Sequence, residues 1–123
     1  MKFFSLFLVF FLVGCEGSKT YRGTWNATSA DSSKLKFNFD AKKMSIEESG
    51  HKVESLSYTQ NSVSIENSVS TYGIQVSDGR NYLIRFPNSK NEKVGLIMDE
   101  NNNVIYTICR DSFLFYNEIY KLH

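Results

Sequence analysis

From Tyr21 onward the apolar residues of this chain recur at every second position in short runs, and no stretch sustains the i, i+3, i+4, i+7 spacing of an amphipathic helix. This alternation is the signature of half-buried strands. Leu35, Phe37 and Phe39 alternate, as do Met44 and Ile46, Leu56 and Tyr58, Val63 and Ile65, Tyr72, Ile74 and Val76, Tyr82, Ile84 and Phe86, Val94, Leu96 and Met98, and Val104, Tyr106 and Ile108. Short polar segments separate the runs. Ser77-Asp78-Gly79-Arg80 is the strongest hairpin signal, because an Asp-Gly pair between alternating runs supplies the positive φ that tight turns need. Asp40–Lys43, Gly50-His51, Gln60-Asn61-Ser62, Asn67-Ser68, Pro87–Lys93 and Glu100–Asn103 read as further turns or loops. The Phe113–His123 segment reads as a closing strand from its aromatic and β-branched content, with a short helix capped by Asp111 as the alternative.

The expected fold is therefore all-β, an up-and-down antiparallel meander of nine or ten short strands closed into a barrel or near-barrel, which leaves no exposed edges. The expected interior is formed by Leu35, Phe37, Phe39, Met44, Ile46, Leu56, Tyr58, Tyr72, Ile74, Tyr82, Ile84, Phe86, Leu96, Met98, Tyr106 and Ile108, uniformly large side chains that fill it.

The alternation does not begin at the first residue. Behind Met1-Lys2 stands a run of eleven residues from Phe3 to Val13, apolar except for Ser5 and ending at Gly14-Cys15. A basic start, a short apolar run and a small residue before the cysteine give the layout of a helical secretory signal, too short to span the ~30 Å of bilayer hydrocarbon. Leu12-Val13-Gly14-Cys15 resembles the lipobox of bacterial lipoproteins. That resemblance implies cleavage between Gly14 and Cys15, diacylation of the Cys15 sulfur and acylation of the new amino group. It implies residues 1–14 as signal peptide, 15–20 as lipidated cysteine and short linker, and 21–123 as the barrel domain. Two or three chains on one cysteine make attachment effectively permanent, whereas one chain binds only marginally. Glu16 is not the aspartate that favours inner-membrane retention in enteric bacteria, so the resemblance points to the outer membrane, facing the periplasm.

Removing residues 1–14 from the 123 leaves 109, enough for one domain with a single core. Loss of Lys2 leaves thirteen basic and thirteen acidic residues, a balance that does not suit nucleic-acid binding. With Cys15 assigned to lipid, Cys109 has no cysteine partner and reads as a small buried apolar residue. His51 and His123 lack metal-ligand spacing, and no nucleophile or phosphate-loop motif is present. The chain is expected not to be an enzyme, and to need no cofactor beyond the lipid on Cys15.

Gly23-Thr24-Trp25, at the start of this small meander, resembles the Gly-x-Trp of the lipocalin and calycin group, although the chain is shorter and lacks the Thr-Asp-Tyr of that group's middle strands. The resemblance implies that Trp25 plugs the closed end of the barrel beneath a cation from a late strand, here Arg110 or Lys121. The expected function is a membrane-anchored binding module that engages a protein partner in the envelope, as an inhibitor or immunity protein does. A lipocalin-like carrier of a small lipophilic molecule is the alternative. Counting turns from the linker, Glu16–Thr20 is a polar leash, and Lys52, Lys90 and Lys93 share the distal rim where an acidic partner would be steered, with Lys42, Lys43 and Arg80 near the lipid.

Overall fold

The computed structural model describes residues 16–48, 51–88 and 90–116, without the side chains of Lys52 and Val53. Cys15 and Lys121 lie outside these residues. Eight antiparallel strands, β1 (Gly23–Ser29), β2 (Lys34–Phe39), β3 (Lys43–Glu48), β4 (His51–Glu66), β5 (Val69–Val76), β6 (Asn81–Phe86), β7 (Val94–Met98) and β8 (Val104–Cys109), pair in sequence order. β8 returns to β1 from Asn26↔Cys109 to Ser29↔Tyr106 and closes the barrel.

Among the described residues the strand number falls below expectation for two reasons. Gln60-Asn61-Ser62 is not a turn but a bulge inside the 16-residue β4, whose register on β5 shifts between Gln60 and Ser62. A bulge inserts one unpaired residue, so the apolar positions change from even numbers (Leu56, Tyr58) to odd ones (Val63, Ile65) without the chain reversing. At the other end of the chain, Phe113–Phe115 lie outside any strand and 117–123 lie outside the described residues.

The tight turns have local causes. Gly79 has φ +98° in the β5–β6 turn, and Asp78 Oδ1 accepts the Arg80 N–H at 3.1 Å. Asn67 and Ser68, at φ 52° and 68°, form a two-residue hairpin loop with both central residues left-handed. Asp99 accepts the N–H groups of Asn101 and Asn103 at 2.8 and 3.0 Å. These bonds hold its carboxyl below the usual range, that from Asn103 contributing most.

The interior is filled by aromatic and branched side chains from every strand, centred on Trp25, Phe37, Phe39, Tyr72, Ile84 and Phe86. Phe86 stands 5.9 Å from Trp25 and 6.0 Å from Tyr72, ring centre to ring centre. β7 departs from the expected orientation. Leu96 and Met98 do not point inward; with Val94 and Cys109 they form a second cluster, against which Leu114 packs. Ile97 is the β7 side chain in the main core. All five residues of β7 are buried, so alternation there marks two faces without telling inside from outside. The stretch after β8 covers this outer face, where buried Thr28 donates from Oγ1 to the Leu114 carbonyl at 2.5 Å.

Candidate functional site

An up-and-down barrel has two ends, and their chemistry differs. At the end where β1 begins, Glu16–Arg22 is folded across the mouth rather than extended as a leash. The Gly17 N–H donates to the Ala41 carbonyl at 2.8 Å. Gln60 Oε1 accepts from the Ser18 N–H at 3.0 Å and from the Tyr21 hydroxyl at 2.7 Å, while the Tyr72 hydroxyl donates to Thr20 Oγ1 at 3.2 Å. Tyr21 is fully buried, and burial first, then the neighbouring Tyr58, pushes its phenol far above the ordinary value.

Beneath this plug lies Trp25, whose Nε1–H donates to the Tyr21 carbonyl at 2.8 Å. The cation over its ring is Arg110, 3.8 Å from the ring centre. Arg110 also donates to the Thr24 and Thr20 carbonyls, each at 3.2 Å. Gly23 has φ +104°, a conformation that favours glycine, and a Cβ there would stand 2.9 Å from Arg110 Nη1 and displace the guanidinium. Partial burial lowers the Arg110 pKa from its ordinary value. Gly23, Trp25 and Arg110 thus form one structural unit that seals the barrel.

The opposite mouth is built by the β1–β2, β3–β4, β5–β6 and β7–β8 connections. Arg80 spans it, donating from Nε to Asp78 Oδ2 at 2.7 Å and from Nη1 to the Tyr82 hydroxyl at 2.9 Å, with Glu54 Oε1 at 3.3 Å from Nη2. Below these side chains lies a void of about 40 Å³, lined by Phe37, Ile46, Leu56, Ile74, Tyr82 and Tyr106 among others. A volume of this size admits about one water, whose share of the liquid is ~30 Å³. Burial raises the Tyr106 phenol above its ordinary pKa, and nearby Tyr82 adds to this.

Around this mouth Asp31, Glu47, Glu48, Glu54, Asp78, Asp99 and Glu100 outnumber Lys34, Lys36, Lys52 and Arg80, with Lys36 directly opposite Glu47. Asp31, fully exposed, is held in its charged form by the Ser29 hydroxyl first and then by Ser33.

The expected lysine rim does not assemble. Because Gln60-Asn61-Ser62 does not reverse the chain, every later connection lies at the end opposite to the one expected. Lys52 opens β4 at the acidic mouth, whereas Lys90 and Lys93 stand in the β6–β7 loop at the plugged end. There the Lys93 carbonyl accepts the Arg110 N–H at 2.9 Å, and its Nζ lies 3.8 Å from Asp111. Arg80 moves the other way, to the acidic mouth. Lys42 and Lys43 remain beside the plug as expected, Lys42 Nζ lying 4.0 Å from Glu16.

Outside the barrel an open groove of about 940 Å³ runs along β1 and β8, and Phe115 and Tyr116 at its edge lead directly into residues 117–123. Among the described residues no group of histidine, cysteine and carboxylate side chains is arranged to hold a metal ion. A comparison of the chain with protein-family models, curated proteins and solved structures finds no match.

Proposed function

We propose that this protein is a lipoprotein, anchored through acyl groups on Cys15 in the outer membrane facing the periplasm, whose barrel is a non-enzymatic module for binding another protein of the envelope. An inhibitor or immunity role fits this arrangement. The observation that carries the reading is the filled interior: a void of about 40 Å³ compares with the ~300–1,000 Å³ of sites that hold small molecules. Recognition then falls to the outer surface. The acidic mouth is the surface at the end opposite the plug from which the chain leads back to Cys15, and its charge suits a basic partner rather than an acidic one.

The test is capture from envelope extracts by the acylated protein, followed by association kinetics with whatever is captured. Charge reversal by Glu47→Lys with Glu48→Lys is expected to slow association about tenfold at low salt, with the difference shrinking as salt rises. Reversal at Lys90 and Lys93 is expected to leave the rate nearly unchanged. Equal effects from both pairs would contradict the assignment of the acidic mouth.

A further inference from the structure

β4 is paired with β3 only from His51 to Ser57, and β4 continues on β5 as far as Glu66. Beyond the bulge, all residues from Asn61 to Ser68 are exposed, including Val63 at 56% and Ile65 at 70%, two of the three large apolar side chains left in solvent among the described residues. Val63 lies opposite Tyr72 and Ile65 opposite Ser70, so both stand on the sheet face that carries Tyr72 into the core. An apolar pair on the continuation of an inner face, left exposed among the described residues, needs an explanation.

The end of the barrel supplies one. The Asn67-Ser68 tip belongs to the plugged end, where Glu16 begins the described chain, and that end carries Lys19, Arg22, Lys42, Lys43, Lys90, Lys93 and Arg110 against Glu16, Asp40, Glu66, Glu92 and Asp111. Both ends carry both signs, but the balance is net basic at the plug and net acidic at the open mouth.

We propose that the β4–β5 hairpin is a foot that rests on an anionic lipid surface, with Val63 and Ile65 at headgroup depth and the plug-end lysines over the phosphates. The orientation rests on the lipid anchor at Cys15 proposed above, because the acyl chains would enter the bilayer at this same end. Depth is limited by the backbone. Among the described residues the β4 edge past Ser57 has no strand partner, and unpaired backbone groups do not enter hydrocarbon, so the foot lies shallow and does not penetrate. It acts with the anchor by fixing which end of the barrel faces the membrane and by presenting the acidic mouth outward.

The test uses the full acylated chain in vesicles containing phosphatidylglycerol and lipids brominated near the glycerol end of the acyl chain. Two reporters are compared, Ile65→Trp at the foot and Ala30→Trp in the β1–β2 turn at the far mouth. Bromine is expected to quench the Ile65→Trp reporter and leave the Ala30→Trp reporter bright. Added salt, or Lys90→Glu with Lys93→Glu, is expected to relieve that quenching. Equal emission from the two reporters overturns the foot. The acyl groups are weighed on the intact chain in the same sample, so a failed anchor is seen separately. If the chain carries no acyl group, it is added as a soluble protein to the same vesicles. Quenching of the Ile65→Trp reporter, weakened at least about fivefold in affinity for each lysine reversed, then upholds the foot, and no quenching overturns it.

Discussion

Replacing Gly23 with alanine tests how the barrel is sealed, because two costs meet at that one position. At φ +104° a side chain costs ~1–2 kcal/mol in backbone strain alone. The new Cβ would also lie 2.9 Å from Arg110 Nη1 and push the guanidinium off Trp25. What Arg110 itself contributes follows from its contacts. Stacking 3.8 Å from the ring centre is worth ~0.5–2 kcal/mol, and two rather long bonds to the Thr20 and Thr24 carbonyls add ~1 kcal/mol each, so Arg110→Ala is expected to cost ~2–4 kcal/mol. Once Arg110 is gone, Gly23→Ala carries only the backbone part. The double variant should therefore be more stable than the sum of the single effects by ~1 kcal/mol. Urea unfolding followed by the fluorescence of the chain's one tryptophan measures all four corners of this cycle. Additivity within ~0.5 kcal/mol would refute the coupling, and a cost for Arg110→Ala below ~0.5 kcal/mol would show that the cation does not hold the plug.

Three further outcomes are expected. Phe86→Ala, which empties a fully buried site between Trp25 and Tyr72, should destabilise by ~3–5 kcal/mol in the same assay, and a smaller loss would mean that the interior is not tightly filled. Burial pushes the Tyr58 phenol up to about 12, and its neutral form is the one favoured by the fold. The stability from that group is present below the ordinary tyrosine value of ~10 and is lost as pH rises through the folded value, so the barrel should hold to about pH 10 and open between about 10 and 12, with tyrosine ionisation at 295 nm following unfolding. Tyrosines that all ionise near 10 in a still folded chain would contradict this. Ser68→Gly, which relieves a left-handed residue at φ 68° in the β4–β5 turn, should stabilise by about 0.5 kcal/mol, read as a rise in thermal midpoint.

The barrel was legible because its strands are half-buried and its turns carry their own chemistry; Ser77–Arg80 and Asp40–Lys43 fall between strands as the alternation requires. Arg110 as the cation over Trp25 was also within reach, through the resemblance carried by Gly23 and Trp25. The ends of the barrel were not. A polar triplet such as Gln60-Asn61-Ser62 has the composition of a turn, and the switch of apolar residues from even to odd positions fits either a reversal or a bulge. One bulge read as a turn exchanges the two ends for every later loop, which is why Lys90 and Lys93 moved to the plug and Arg80 to the mouth. In β7 the signal was lost for another reason: both faces are buried, so Leu96 and Met98 could not be told from inward residues without knowing that the stretch after β8 covers them. The plug was hidden because Glu16–Thr20 is polar, and its order comes from partners distant in sequence, Ala41, Gln60 and Tyr72.

Native mass spectrometry of the protein extracted from its own membrane tests the central claim directly, because it weighs the anchor and the contents of the barrel together. The account predicts a chain beginning at Cys15 that carries covalent acyl groups, with no small molecule held inside. A small lipophilic molecule bound one to one and released on unfolding would contradict the filled barrel, and an unmodified chain still beginning at Met1 would contradict the anchor.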